Sequence, residues 1–295
     1  MSTAARVLAI VLHHVRLADT LECLASLTRS TYPHLEVLVL DTRAIAGSAA
    51  SIRATFPAVE VLELERNLGY AGNNNIGLAR ALERGFEFAL MINDDAVVAP
   101  DCIEHLVRAS LQDRVIGMTG PTVYHREQPS VVQSAGGELT PAWITRWKTD
   151  CHAAPATEPR DVAWVPGCVL MVRRELCEDI GLLDDRFFTY WEEVEWCVRA
   201  VRRGWRVVHV PAARAWHRDP RPVAAAATYY MTRNRLLALA MHRAPLRLWL
   251  LVTANLAATL VSWSVRPKWR HLRPHRTAIW HGLLDFARGR VGERR

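Results

Sequence analysis

Short apolar runs, each about one strand long and each followed by a stretch of helical spacing, fill the first hundred residues of the chain. The runs are Val7 to Leu12, Leu35 to Leu40, Val59 to Leu64 and Phe86 to Ile92. The helical patterns between them are Asp19 to Thr28, Ser48 to Thr55 and about Asn75 to Arg84. Strands apolar on both faces must be covered on both faces, and strands joined through helices run parallel. The alternation therefore predicts an α/β fold with a mostly parallel twisted sheet flanked by helices. Ligands of such sheets bind beyond the carboxyl ends of the strands, which singles out the residues after Leu40, Leu64 and Ile92.

Further on, Pro100 and Asp101 open another helix, and Thr119 to Ala163, polar and proline-rich, predicts loops and short antiparallel strands. Trp164 to Val172 and Arg206 to Val210 read as strands, and the pattern turns helical beyond Val223. Leu248 to Val265 is an 18-residue stretch without a charge, at the lower limit for a membrane span. The net charge of +7 is uneven: from Met241 onward eleven Lys and Arg face Asp285 and Glu293, a net of +9, so the rest carries −2. Only the tail seeks an anionic partner. Trp249 and Trp263 near the ends of the apolar stretch, with basic residues from Arg266 to Arg276, predict a helix on an anionic membrane surface. No DNA- or RNA-binding module accompanies this charge, so nucleic acid is not an expected partner. The six cysteines form no Cys-x-x-Cys pair and the N-terminus lacks a signal-peptide pattern, which together point to a reducing, cytoplasmic setting.

Three clusters could carry chemistry. Asn93-Asp94-Asp95 follows a strand directly; its carboxylates suit a hard divalent cation that would in turn bind phosphate, or simply form a solvated turn. Arg66 to Gly77 holds glycines and three consecutive amides after another strand, offering N–H groups to a nucleotide, or a glycine turn with an Asn helix cap. Phe187 to Arg199 crowds aromatics around Glu192, Glu193 and Glu195. That setting would raise a carboxylate's proton affinity and offer a sugar-stacking surface; the alternative is an amphipathic helix with Val194 and Cys197 inward and its acids in water.

In this order and spacing the clusters resemble the family 2 glycosyltransferases of the GT-A fold, over about residues 5 to 240. Asp19-Thr20-Leu21-Glu22-Cys23-Leu24-Ala25-Ser26-Leu27 is similar to the family's opening helix. Asn67 to Gly77 resembles its Asn-Leu-Gly-Phe-Ala-Gly-x-Asn-Asn-x-Gly pattern, with Tyr70 for Phe. Asn93, Asp94 and Asp95 resemble a variant Asp-x-Asp metal motif. Gly167 with Arg173 and Arg174, then Gly181 to Phe188, match later elements. Tyr229-Tyr230-x-x-Arg233-Asn234 resembles an element of bacterial polysaccharide and rhamnosyl transferases. Two positions depart from the family: Asp41 alone survives of Asp-Asn-x-Ser-x-Asp, and Glu192-Glu193 replaces Glu-Asp, one methylene longer.

The resemblance implies an inverting transfer from a nucleotide-diphosphate sugar, such as dTDP-rhamnose or a UDP-sugar, to a glycan or lipid-linked acceptor in cell-envelope polysaccharide synthesis. Glu193 would be the general base. Mg2+ or Mn2+ would be held by Asp95, with Asn93 and His217. Asp41, Asn67, Gly69, Asn74, Asp94 and Arg233 would bind the nucleotide. Gly167, Tyr190, Trp191 and Glu192 would line the acceptor side. A GT-A catalytic domain would span 1–222, with a nucleotide half to about 96 and an acceptor half from about 97. A basic helical extension would follow over 223–295, resting on the cytoplasmic face of the membrane. The rival readings are an inactive transferase-like binding subunit and a metal-dependent phosphoesterase.

Overall fold

The computed structural model describes residues 5–149, 158–218 and 224–294. Cys151 and the expected 222/223 boundary lie outside the described residues. The strands are β1 (Val7–His13), β2 (Leu35–Asp41), β3 (Glu60–Glu63), β4 (Phe88–Asn93), β5 (Ala96–Val98), β6 (Ile116–His125), β7 (Val132–Ser134), β8 (Gly137–Leu139), β9 (Thr145–Trp147), β10 (Arg160–Asp161), β11 (Val169–Arg173) and β12 (Arg206–His217). The helices are α1 (Leu17–Thr28), α2 (Ser48–Thr55), α3 (Gly69–Glu83), α4 (Cys102–Gln112), α5 (Arg174–Ile180), α6 (Glu192–Arg202), α7 (Ala225–Met241), α8 (Leu246–Val265) and α9 (Arg273–Ala287).

The main sheet has the order β10-β12-β6-β11-β4-β1-β2-β3, with β5 on β12 and β7 on β6. Side chains along a strand point alternately to its two faces, so β1 feeds two cores. Leu8 and Ile10 pack with Leu78 of α3 and Cys197 of α6; Val7, Ala9 and Val11 pack with Leu24 of α1, Ile52 of α2 and Leu106 of α4. Burial on both faces is what the unbroken apolar runs require.

The sheet is mixed, and the part read from the first hundred residues is parallel as expected. Strands β4, β1, β2 and β3 run parallel, and so do β6 and β12. But β11 enters antiparallel between β4 and β6, and β5 and β10 pair antiparallel with β12. One strand exceeds its expected bounds, β12 continuing past Val210 to His217. The region read as loops and short antiparallel strands holds the end of the longer β6 together with short β7, β8 and β9, which pair antiparallel. At the C-terminal end α7 packs along α9, and α8 packs on α9.

Candidate active site

The parallel strands β1, β2 and β4 end side by side, with His13 paired to Asp41 and Leu12 to Asn93. The chain leaving β4 turns at once into Asp94 and Asp95. Asp94 Oδ2 accepts from the His14 amide at 3.2 Å and the Thr20 hydroxyl at 3.4 Å, and stands 3.6 Å from His13 Nδ1. Asp95 Oδ1 lies 3.1 Å from His217 Nε2 and its Oδ2 3.9 Å from Arg16. Burial pushes the Asp95 carboxyl up, but the His217 hydrogen bond and charge and the Arg16 charge outweigh it and hold it below the usual range. The β12–β5 register opposes His217 to Ala96, which brings a residue 122 positions away against Asp95. His217 is thus not an isolated surface histidine.

His217 Nδ1 faces Gln133 Oε1 at 3.1 Å, and Nε2 is also 3.4 Å from the Asn93 amide. With Nδ1–H donating to Gln133, the 3.1 Å gap between Nε2 and the Asp95 carboxylate holds either the Nε2 proton, as in the hydrogen bond that lowers the Asp95 carboxyl, or a cation in its place. Among the described residues no three His, Cys, Asp or Glu side chains converge on one point. Asp95 and His217 fit a hard cation that would need further oxygen donors from water or a ligand.

Gly167 and Cys168 join this turn to α6. Asn93 N–H donates to the Cys168 carbonyl at 2.9 Å, and the Gly167 backbone amide is among the groups that lower the proton affinity of the Glu193 carboxylate. The Cys168 thiol is pushed up by burial and by the charges of both Asp95 and Glu193. A Cβ at Gly167 would meet the Tyr70 hydroxyl at 2.9 Å, and that hydroxyl donates to the Gly167 carbonyl at 2.5 Å.

Helix α6 carries the acids inward: Val194 and Cys197 are buried as expected, but Glu192 and Glu195 are buried as well. Glu195 is paired with Arg199 at 2.9 Å and His242 at 3.2 Å. Glu192 and Glu193 each keep an Oε2 without a hydrogen-bond partner among the described residues. Burial, and for Glu192 the neighbouring Glu193 charge, pushes the carboxyls up; the amides of Glu193, Val194 and Gly167 pull Glu193 back only in part.

The approach to α6 is backbone of unusual shape. Phe188, Tyr190 and Trp191 have φ of 65°, 64° and 78°, a region costly for residues with a Cβ. Two brackets hold it. From α7, Asn234 Nδ2 donates to the carbonyls of Phe187, Thr189 and Tyr190 at 2.9, 2.8 and 2.7 Å. Beside it, all five Arg233 donors are engaged: Nε on Asn234 Oδ1, Nη1 on the Tyr229 hydroxyl and the Gly292 carbonyl, Nη2 on the carbonyls of Arg186 and Phe187. Arg233 is 1% exposed, so the expectation that it binds the nucleotide is corrected: this guanidinium ties backbone carbonyls.

The second bracket is α3, whose glycines and amides read as N–H groups offered to a nucleotide or as a glycine turn with an Asn helix cap. The helix already begins at Gly69 (φ 76°), where a Cβ would collide with the Phe188 carbonyl and ring. Asn67 is exposed but its Oδ1 accepts from the Gly69 amide at 2.8 Å and Asn73 Nδ2 at 2.9 Å. Asn74 is buried, donating to the Tyr70 carbonyl at 2.9 Å, and Asn75 bonds both backbone groups of Leu183. Gly69 and Asn74 thus face the protein interior, in place of the nucleotide contacts expected of them.

Asp41 is also buried; it accepts from the Arg43 amide and the Ser48 hydroxyl, each at 2.7 Å, and so anchors the loop into α2. Of the two aromatic candidates, Tyr190 is 45% exposed whereas Trp191 is 5% exposed and stacks on Trp143 with centroids 6.4 Å apart and planes at 9°. Tyr190 is open to solvent, whereas Trp191 is largely covered and borders a cavity. Sequence reasoning missed His13, Arg16, Thr20, Tyr70, Gln133 and Asn234. His13 ends β1 and Arg16 and Thr20 follow it, at a carboxyl end that adjoins those of β2 and β4.

Residues 5–235 match the family described as Glycosyltransferase like family 2. The chain is 29% identical over 214 residues to an N-acetylglucosaminyl-diphospho-decaprenol L-rhamnosyltransferase of Mycobacterium tuberculosis, covering 66% of this chain and 70% of that protein. It is 22% identical over 249 residues to the dTDP-rhamnosyl transferase RfbF of Shigella flexneri, covering 80% and 82%. In fold it is similar to the mannosyltransferase PcManGT of Pyrobaculum calidifontis, solved with GDP-Man and Mn2+, at TM-score 0.60 and 17% identity over 97% of this chain and 88% of that one. With the mixed, helix-flanked sheet of the GT-A fold and a match across most of its length, the chain belongs to glycosyltransferase family 2.

Proposed function

We propose that the protein is an inverting, divalent-metal-dependent glycosyltransferase that moves a sugar from a nucleotide diphosphate, dTDP-rhamnose or a UDP-sugar, to a glycan or lipid-linked acceptor of the cell envelope. The observation that carries this reading is the Gly167-Cys168 dipeptide: the Cys168 carbonyl is bonded to Asn93 of the turn, and the adjacent Gly167 amide acts electrostatically on the Glu193 carboxylate. A diphosphate at the turn then has its sugar directed toward a buried base.

In the reaction the acceptor oxygen attacks the anomeric carbon, the bond from that carbon to the diphosphate breaks, and Glu193 takes the hydroxyl proton. Its raised proton affinity suits that task. Asp95 and His217 would hold Mg2+ or Mn2+, and Asn93 would hydrogen-bond beside them; the ion, when bound, neutralises charge on the departing diphosphate. Asp94 orients the ends of β1 and α1 around the diphosphate, and exposed Asn67 borders it. Asp41 shapes the nucleoside side by fixing its loop. Glu192, Tyr190 and Gly167 border the acceptor. The catalytic domain is read as 1–222 and the helical extension as 223–295.

One helix among the described residues, Leu246–Val265, is long and apolar enough to cross a membrane, and 17% of its apolar window is buried. Leu246, Leu250, Leu251, Val261 and Val265 are exposed, and basic residues follow from Arg266. We assign α8 to the cytoplasmic membrane surface, where each basic residue adds about 1 kcal/mol of attraction to anionic headgroups.

The test is release of nucleotide diphosphate from a panel of dTDP- and UDP-sugars with Mn2+, with and without acceptor. Acceptor-stimulated release that stops in chelator is expected. Tight binding of nucleotide with no turnover of any donor would instead indicate an inactive binding subunit.

A further inference from the structure

Between α7, α8 and α9 lies a cavity of about 410 Å³ that the reaction as derived does not use. Its walls are largely apolar: Trp143, Trp191, Leu256, Trp263 and Ile279. Arg235 enters it from α7, one residue past the Asn234 bracket. One of its terminal nitrogens donates to the Ala142 carbonyl at 2.6 Å, while Nε is buried without a hydrogen-bond partner among the described residues. Burial lowers the proton affinity of this guanidinium, yet an arginine stays charged in proteins. A cation set in an apolar wall with an unused donor is unfavourable unless an anion meets it.

Two walls say what else the anion must carry. On one side is α8, whose outward leucines and valines face solvent; on the other is Trp191, directly before Glu192 and Glu193. The cavity is therefore bounded by the apolar surface helix and by the residue that precedes the two acids in the chain. Its size is that of a small-molecule site, enough for a headgroup and the first part of a chain.

We propose that this cavity binds the acceptor as a lipid diphosphate, with the first part of its hydrocarbon chain against Trp263 and Leu256 and its diphosphate on Arg235. The proposal rests on the reading of the protein as a glycosyltransferase with a lipid-linked acceptor and adds where, and through which residue, that acceptor is held. Arg235 acts here as a binding residue for the acceptor, separate from the Arg233 and Asn234 bracket beside it.

The experiment is calorimetric titration of the full chain with geranylgeranyl diphosphate below its micellar concentration, with geranylgeraniol, inorganic diphosphate and UDP as comparators. We expect one lipid diphosphate per chain, bound more tightly than either the alcohol or inorganic diphosphate and not displaced by UDP. Arg235→Gln should weaken it about tenfold or more while the alcohol and UDP bind as before, and Arg235→Lys should recover part of the loss. Met231→Asp, at the exposed rim, puts a polar group of like charge to the ligand at the cavity mouth with a change that folding tolerates and should weaken the lipid diphosphate too. Wild-type affinity in both Arg235→Gln and Met231→Asp, equal binding of alcohol and diphosphate, or displacement by UDP would each overturn the proposal. Sugar transfer to a soluble glycan without lipid-diphosphate binding would overturn this site alone. Lipid-diphosphate binding lost in Arg235→Gln, in a protein that turns over no nucleotide sugar, would leave the site standing and overturn the assigned reaction.

Discussion

The side-chain amide of Asn234 reaches the carbonyl of Tyr190 at 2.7 Å, so a residue in the middle of α7 fixes the backbone two positions before Glu192. The same nitrogen also serves Thr189 and Phe187, and the segment it holds contains three left-handed residues that relax once released.

Asn234→Ala is expected to lower stability by about 1–3 kcal/mol, because buried carbonyls lose their donor, and to lower kcat by roughly tenfold or more through misplacement of Glu193. Thermal unfolding and steady-state rates measure both. Nucleotide affinity should stay unchanged; a large loss of it would assign Asn234 to the donor site instead.

Glu193→Gln should reduce turnover by roughly 100-fold or more with nucleotide binding retained, as for removal of a general base. The wild-type rate should fall on the acid side at a pH above the ordinary glutamate range, since burial raises the carboxyl and only its ionised form accepts a proton. If Glu192→Gln proved the crippling change, the base would be the neighbouring residue.

Glu192 is pushed up in the folded protein by burial and by Glu193. Above that raised value the ionised form is present both folded and unfolded but is penalised only when folded. Below the unfolded value both states are protonated and the penalty is gone. Glu192→Gln should therefore raise Tm at pH 7–8, and the gain should vanish as pH falls to about 4. A Tm difference independent of pH would show that the charge carries no penalty.

Asp95→Ala and His217→Ala should each raise the Mn2+ concentration needed for half-maximal turnover by about tenfold or more, with the fold retained. Metal titration of the rate, with circular dichroism as the control, measures this. Full turnover of either variant in chelator would remove the ion from the mechanism.

The sequence made β1 legible because all its residues to Val11 are buried, so nothing polar interrupts the run. It hid the start of α3 because glycine and asparagine favour turns. In the structure its first glycines are required by close approach: a Cβ at Gly72 would meet the Leu68 side chain at 2.7 Å, and one at Gly69 would collide with Phe188. Strand β6 was obscured in the same way by Gly117, Gly120 and Pro121. The metal motif was visible, but its closeness to His217 depends on the β12–β5 register, and nothing local encodes register between distant strands. Arg233 was seen as a motif residue and misjudged in role, because a chain's pattern does not say whether a charged side chain faces a ligand or a ring of carbonyls.

The antiparallel insertion of β11 has a kinetic consequence. Its main chain is bonded to β4 along one edge and to β6 along the other, so the strand that delivers Asp94 and Asp95 and the strand behind Gln133 belong to one stiff sheet. A hinge between them would have to break those ladders in every catalytic cycle. Substrate capture and product release therefore fall to local movements around the site, and stiffening such local segments should slow turnover without shifting the melting temperature of the sheet.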